Sequence, residues 1–92
     1  MKVAITGSSG LAKNIKDTLE ATPYQGETIK VSTPRIDDII MNDTDWFGFD
    51  YDNPNHVDVL INFAHRDFDQ TKVLDITHRA WKNDKSKYII NF

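Results

Sequence analysis

The sequence predicts a doubly wound α/β fold, in which helices cover both faces of a parallel sheet. Strand-like segments alternate with helix-like segments along the 92 residues, which is typical of parallel strands joined by right-handed crossovers. The clearest strand, residues 57–64, is almost continuously apolar, as expected when both faces are buried. A glycine-bearing turn also joins the first strand to an amphipathic helix, which is the usual arrangement in such folds.

Composition limits the size and class of the protein. Ninety-two residues make one small domain, 1–92. The sequence has no cysteine, so disulfides and thiolate zinc sites are excluded and a cytoplasmic location is expected. The net charge is −3 with scattered basic residues, which argues against a nucleic-acid surface. No apolar run approaches the ~20 residues that span a bilayer, so we expect no membrane association.

The first nineteen residues organise the rest of the chain. An apolar run, Lys2–Ile5, leads into the turn Thr6–Gly10, and the helical spacing is carried by Leu11, Ile15 and Leu19. Free N–H groups and the positive dipole end at a helix start attract phosphate, and glycine lets a ligand approach the main chain. The pattern therefore favours a phosphate-bearing ligand, and a tight turn without a ligand is the alternative. The turn is not a P-loop, because the Lys-Ser/Thr pair is missing after Gly10.

The middle of the chain predicts a strand and a short helix. Residues 21–26 form a breaker cluster, and residues 28–32 are rich in β-branched side chains, as strands are. Thr33 as N-cap and Pro34 at the first helical position predict a helix whose apolar face carries Ile36, Ile39 and Ile40. Residues 42–55 alternate aspartates with aromatics and predict either a short third strand or an irregular segment.

The last third predicts a helix and a final strand. Residues 69–82 have helical spacing, with an inward face formed by Val73, Ile76 or Thr77, Ala80 and Trp81. A polar turn follows at residues 82–85, and residues 88–92 predict the last strand. This strand has an apolar edge, which invites pairing with another copy. We therefore expect a homodimer or a higher homo-oligomer through this edge.

Three segments resemble those of a known enzyme family. Residues 6–12, Thr-Gly-Ser-Ser-Gly-Leu-Ala, resemble the glycine-rich turn of the short-chain dehydrogenase/reductase family. Residues 58–65 resemble its fourth strand with the Asn-Asn-Ala-Gly motif, and residues 87–92 resemble its fifth strand. The resemblance covers most of the chain in the right order, except residues 37–56. It implies a Rossmann-type parallel sheet of four to five strands in the order 3-2-1-4-5, truncated after strand five.

The resemblance also implies a dinucleotide site where the first and fourth strands diverge. The pyrophosphate would be bordered by Gly7, Ser8, Ser9, Gly10 and Leu11. The adenosine side and the path to the nicotinamide would be bordered by Asn62, Ala64 and His65. No acid stands at Ser32 or Thr33 to bind the ribose of NAD, whereas the Arg35 guanidinium suits a 2′-phosphate. The expected cofactor is NADP or NAD, with NADP favoured; alternatively, Arg35 is only a solvated residue at a helix start.

Several positions depart from the family pattern. The third glycine of the turn falls on Ala12 or Lys13, and Phe63 and His65 replace an Asn and a Gly of the strand-four motif. The catalytic Ser and the Tyr-x-x-x-Lys pair would follow the fifth strand, and no tyrosine in this sequence has a lysine four residues on. We therefore expect a cofactor-binding portion without catalytic residues. The alternative is a small α/β interaction module whose nucleotide site has decayed.

The histidines do not predict a metal site. His56, His65 and His78 lie in different segments, and none belongs to an i, i+4 pair or a His-Glu-x-x-His run. Ordinary surface or helix positions explain them. Only His65 has a functional interpretation, as a group at the mouth of the crevice between the first and fourth strands.

Overall fold

The computed structural model describes residues 1–7, 9–47, 55–64 and 68–92. Within these ranges the chain forms strands, three α-helices and one short 3₁₀ helix, Asp43–Trp46. In chain order the elements are β1 (Lys2–Thr6), α1 (Gly10–Glu20), β2 (Pro23–Tyr24), β3 (Glu27–Thr28), β4 (Lys30–Ser32), α2 (Ile36–Asn42), β5 (Val59–Asn62), α3 (Asp69–Trp81) and β6 (Tyr88–Asn91). The predicted α/β class is confirmed.

Four of the strands form one parallel sheet in the order β4-β1-β5-β6. Val3 of β1 pairs with Val31 of β4 on one side and with Val59 of β5 on the other. The sheet is compatible with a Rossmann-like fold. The breaker cluster forms a separate antiparallel hairpin of β2 and β3, whose two turn residues, Gln25 and Gly26, have φ values of 53° and 83°. Positive φ at both positions is the geometry of the tight hairpin turn that suits twisted strands.

The predicted strand order 3-2-1-4-5 is wrong. β4 lies at the edge of the sheet, and no described residue between Ser32 and Val59 forms a strand outside it. After α2 the chain turns at Asp43, where φ is 54°, and enters the 3₁₀ helix. Phe47 then packs into the core with 2% of its surface exposed. Aspartate is depleted in strands, and burial of the Phe47 ring stabilises a turn of the chain toward the core. Residues 48–54 lie outside the described residues.

Helices cover the two faces of the sheet in the manner that right-handed crossovers require. From β1 the chain moves through α1 to β4, and then returns across β1 to β5 by way of α2, so these helices lie on opposite faces. Side chains of β1 alternate accordingly: Val3 and Ile5 pack with α1, whereas Ala4 packs with α2 and α3. The direction of winding therefore reverses between β1 and β5, which makes this pair the switch point of the sheet.

The start of α2 differs from the prediction. Arg35 is the N-cap, with extended φ and ψ of −73° and 133°, and Ile36 is the first helical residue. The predicted N-cap Thr33 and first helical residue Pro34 are therefore wrong by two residues, since both precede the helix. The inward face of α3 is confirmed, with Val73, Ile76, Thr77 and Trp81 buried.

Candidate functional site

Hydrogen bonds join the carboxyl ends of β1 and β5. Thr6 and Asn62 are register partners, and both are fully buried. The Thr6 hydroxyl donates to Oδ1 of Asn62 at 2.6 Å, and the N–H of Phe63 donates to the carbonyl of Thr6 at 2.9 Å. The corner at which the turn begins is therefore fixed by both side-chain and main-chain contacts.

Gly7 occupies a position that only glycine fits. Its φ is +102°, and a Cβ there would lie 2.6 Å from the carbonyl oxygen of Phe63. The main chain of the turn therefore packs directly on the main chain that leaves β5. Glycine is required here for two independent reasons, the left-handed backbone and the close approach.

The turn ends in the capped start of α1. Ser9 is the N-cap, and its hydroxyl accepts a hydrogen bond of 3.1 Å from the N–H of Ala12. The first amides of a helix have no acceptor within the helix. With Ala12 satisfied by Ser9, the helix itself offers no acceptor to the N–H groups of Gly10 and Leu11. These amides and the helix dipole favour an anion at this point.

A cavity of about 280 Å³ lies between the start of α1 and the carboxyl ends of β1 and β4. It is lined by Ile5, Gly7, Ser9, Ala12, Lys13, Lys16 and Thr33. Lys16 forms an ion pair of 2.7 Å with Glu20 one turn along the helix, and this hydrogen bond raises the pKa of Lys16 above its usual value. The cavity thus combines hydroxyl groups and two lysines with an apolar floor, which suits an anion attached to an apolar or sugar-like group.

A second cavity of about 240 Å³ lies on the other face of β4. Its lining is Ala4, Ser32, Thr33, Pro34, Trp46, Asn55 and Val57. Thr33 borders both cavities, so they meet at the carboxyl end of β4. The indole of Trp46 and the polar groups of Ser32 and Asn55 give this cavity the mixed lining that binding pockets commonly have.

The structure brings some of the predicted site residues together. Gly7 and Ser9 line the first cavity, and Gly10 and Leu11 lie at the exposed start of α1 beside it. Ser32 lines the second cavity instead. Arg35 is exposed as the N-cap of α2 and lines neither of these two cavities. Ser8 and His65 lie outside the described residues.

Asn62 and Ala64 lie inside the protein, each with 0% of its surface exposed. Nδ2 of Asn62 donates to the carbonyl of Gln70 and to Oδ1 of Asn91, both at 3.0 Å. Its Oδ1 accepts from the Thr6 hydroxyl and, at 3.4 Å, from the N–H of Ala64. The side chain therefore connects β1, β5, β6 and α3. These contacts give Asn62 a structural role at the switch point.

Sequence reasoning did not identify the lysine pair as part of the site. The resemblance assigns Lys13 only the place of a family glycine, and it assigns no role to Lys16. Their spacing of three along α1 places both on one side of the helix, and Lys13 lies one turn after the N-cap. An i, i+3 pair of lysines directly after a glycine turn is the signal from which this wall of the cavity can be predicted.

The sequence also does not predict a partly buried polar cluster at the amino edge of the sheet. The Lys87 side chain is only 5% exposed, and its Nζ donates to the carbonyl of Val57 at 2.9 Å. Nζ also lies 3.2 Å from Nε2 of His56 and 3.7 Å from Oδ1 of Asp58. Burial, and then the neighbouring Lys87 ammonium, lower the pKa of His56. Burial pushes the pKa of Asp58 upward, but the N–H of Lys2 and the Lys87 charge outweigh it and lower the pKa overall.

Metal-ligating clusters and membrane-crossing helices are both absent from the described part of the chain. Residues 1–7, 9–47, 55–64 and 68–92 contain no group of three or more metal-ligating side chains placed to hold an ion. In the same ranges, none of the helices combines the length and the apolar character that a membrane crossing needs.

No family model, curated protein or solved structure matches this chain. The resemblance to short-chain dehydrogenases/reductases therefore depends on the residues of the turn and the two strands alone. The fold adds a four-stranded parallel sheet that is compatible with a Rossmann-like architecture.

Proposed function

We propose that this chain is an NAD(P)-binding Rossmann-like domain that resembles the N-terminal part of a short-chain dehydrogenase/reductase and lacks the catalytic residues. The observation that carries the proposal is the cavity beside Gly7. There the glycine turn, the start of α1, two lysines and the carboxyl end of β4 converge. This corner adjoins the switch point, where ligands bind in open parallel sheets.

The residues present fit the phosphates of a dinucleotide. The amides of Gly10 and Leu11 and the ammonium group of Lys13 are hydrogen-bond donors, and a diphosphate offers acceptors only. The Lys16 ammonium already pairs with Glu20 at 2.7 Å. Gly7 leaves the main chain uncovered for close approach. Thr33 would meet the ribose at the carboxyl end of β4. Because pockets that enclose a whole ligand usually have ~300–1,000 Å³, this cavity would hold part of the molecule.

Positive charge around Thr33 favours NADP over NAD. Lys13 and Lys16 share the cavity wall with Thr33, and the exposed Arg35 follows two residues later. A 2′-phosphate at the ribose would meet the cations of Lys13 and Arg35, whereas none of the described residues that line the cavity is acidic and could accept bonds from a free 2′-hydroxyl.

A bound nicotinamide would supply hydride chemistry. The sequence offers no Tyr-x-x-x-Lys pair to exchange a proton with a substrate, because the residues four positions after Tyr24, Tyr51 and Tyr88 are not lysines. We therefore propose that the chain binds the dinucleotide. A cytoplasmic location, expected from the lack of cysteine, belongs to the same proposal.

Thermal unfolding with and without nucleotide tests the proposal. NADP at ~100 times its dissociation constant should raise the free energy of unfolding by ~2.7 kcal/mol. Lys13→Glu should weaken this stabilisation, whereas the matched reversal Lys85→Glu, in the exposed turn before β6, should leave it unchanged. No response to millimolar NADP, NADPH, NAD or NADH would contradict the proposal.

The alternative function is an interaction module whose nucleotide site has decayed. It is favoured by Asn62 and Ala64, which are buried and therefore turned away from an open crevice. Lys13 supports the same view if it, and not Ala12, stands in the place of the third glycine of the family that the turn resembles. This alternative predicts no nucleotide response but stable self-association. The expected homo-oligomer through the edge of β6 is compatible with both functions, because its surface does not include the cavity.

A further inference from the structure

Within the described part of the chain, β6 is an edge strand of the sheet and has main-chain groups directed outward. Among the described residues β6 pairs with β5 alone. The N–H of Tyr88 donates to the carbonyl of Asp58 at 3.1 Å, and the N–H of Phe92 donates to that of Asn62 at 3.2 Å. Since these groups point toward β5 and the direction alternates along a strand, the N–H and C=O of Ile89 and Asn91 point away from it.

Charged residues do not protect this edge as they do in many natural sheets. The strand Tyr88–Asn91 has no charged residue. The neighbouring lysine, Lys87, turns into the protein, where its Nζ donates to the carbonyl of Val57. By contrast, β4 at the opposite edge has only three residues and includes the exposed Lys30. The edge of β6 is therefore the one suited to pairing.

One face of β6 adds an apolar stripe to this edge. Tyr88, Ile90 and Phe92 are 65%, 45% and 56% exposed. Ile90 pairs with Ile61, which packs on the face of the sheet that carries α1. On that face α1 packs over β1 and β4, so the stripe lies beside the helix. The Phe92 ring stacks on Phe63 with centroids 4.4 Å apart, and its remaining exposed surface, with Tyr88 and Ile90, is open to a partner.

We propose that β6 pairs antiparallel with the β6 of a second copy. The two copies are related by a two-fold axis that passes midway between Ile90 and the partner's Ile90. In this register Ile89 lies opposite the partner's Asn91, and their outward main-chain groups form the hydrogen bonds of the ladder. Tyr88 lies opposite the partner's Phe92, and Ile90 lies opposite the partner's Ile90. The two sheets become one continuous sheet through an interface that is the same on both copies.

The apolar stripe favours this register over the alternative in which Ile89 lies on the two-fold axis. With Ile89 on the axis, Tyr88 would face the partner's Ile90, but Phe92 would face the partner's Ser86. With Ile90 on the axis, every exposed apolar side chain of β6 and Phe92 faces an apolar side chain of the partner. Cross-strand aromatic and β-branched pairs of this kind stabilise a sheet.

The area of the stripe indicates a weak dimer. An aromatic side chain buries about 150–250 Å² in full, so at the observed exposures the three side chains supply roughly 300 Å² per copy. The smallest specific interfaces take about 600 Å² from each partner, and pairing of the strand edges has to supply the rest. We therefore expect a dissociation constant on the order of 10–100 µM.

Sedimentation velocity of the 92-residue chain, without nucleotide, tests the interface. The protein should sediment as a reversible dimer at about 500 µM, well above the expected constant. Ile90→Lys should yield a monomer, and Tyr88→Lys, at a more exposed site, serves the same purpose if the first variant unfolds. Met41→Lys, at an apolar residue that is 76% exposed on α2, should still dimerise. A monomeric native chain, or a dimer that survives both β6 substitutions, overturns the proposal.

Disulfide cross-linking tests the register, because the chain has no cysteine of its own. Ile90→Cys places two sulfurs across the proposed axis, at a directly opposed pair where Cβ atoms are close enough to bridge. This variant should form a disulfide-linked dimer on mild oxidation, and Ile89→Cys and Met41→Cys should form far less. Cross-linking of Ile89→Cys in preference to Ile90→Cys overturns the register.

Discussion

The Thr6 hydroxyl donates a buried hydrogen bond of 2.6 Å to Oδ1 of Asn62, across a separation of 56 residues in the sequence. The bond joins the two central strands at the point where the winding of the sheet reverses. The same amide reaches α3 through the carbonyl of Gln70 and β6 through Asn91. Asn62 therefore links the carboxyl ends of β1, β5 and β6 to α3 through hydrogen bonds inside the protein.

Asn62→Ala should destabilise the protein strongly. The substitution removes the partner of the Thr6 hydroxyl and of the Ala64 N–H, and leaves a cavity among buried atoms. Each buried polar group left without a partner costs about 1–3 kcal/mol, so a total loss of roughly 2–4 kcal/mol is expected. Urea unfolding measures it. Asn83→Ala, in the exposed turn after α3, is the control, and an equal small effect in both variants would argue against this role of Asn62.

Gly7→Ala should cost more stability than Gly26→Ala. Both glycines have positive φ, at 102° and 83°, so both substitutions strain the backbone. Only the Cβ at position 7 meets other atoms, the nearest being a main-chain oxygen at 2.6 Å, whereas nothing lies within 4 Å at position 26. The loss at Gly26 should be about 1 kcal/mol, typical of this strain. Equal losses in chemical denaturation would show that Phe63 does not restrict the turn.

Acidification should destabilise the protein through His56. Burial and the Lys87 ammonium hold the pKa of His56 below its usual value of 6.5. Near and below pH 6.5 the unfolded chain therefore binds more protons than the folded chain. The free energy of unfolding consequently falls as the pH drops below about 6.5. In urea unfolding between pH 7.5 and 5.5, His56→Asn should flatten the slope of stability against pH. His78→Asn, at an exposed position on α3, should preserve it; an unchanged slope in His56→Asn would refute the assignment.

The sequence predicts a segment correctly where burial of its apolar side chains dominates its structure. The continuous apolar run of β5 predicts a buried central strand, since both of its faces contact other residues, and the spacing in α3 predicts the face that reaches the core. The segment after α2 was not predictable in the same way. Its alternating aspartates and aromatics match a strand period, but the described part of it forms the 3₁₀ helix Asp43–Trp46 and buries Phe47. That burial depends on a tertiary contact with Trp81, whose ring centroid lies 5.1 Å from that of Phe47.

The candidate site was predictable in part for a similar reason. The glycine turn has a local cause, the backbone conformation of Gly7, and can be recognised in the sequence. Asn62 was expected at an open crevice because its type and position match a motif, yet its contacts come from three other elements that only the fold brings together. The same holds for Lys87, whose burial depends on the approach of residues 56–58.

An NMR titration of the labelled chain with NADP tests directly whether the cavity beside Gly7 binds a dinucleotide. We expect saturable shifts of the amide signals of Gly7, Gly10, Lys13 and Thr33, which border the cavity or the start of α1. The amide of Lys85, in the turn before β6, should not move. No saturable change at millimolar NADP or NAD, or changes confined to residues away from this corner, would contradict the claim that the cavity beside Gly7 binds a dinucleotide.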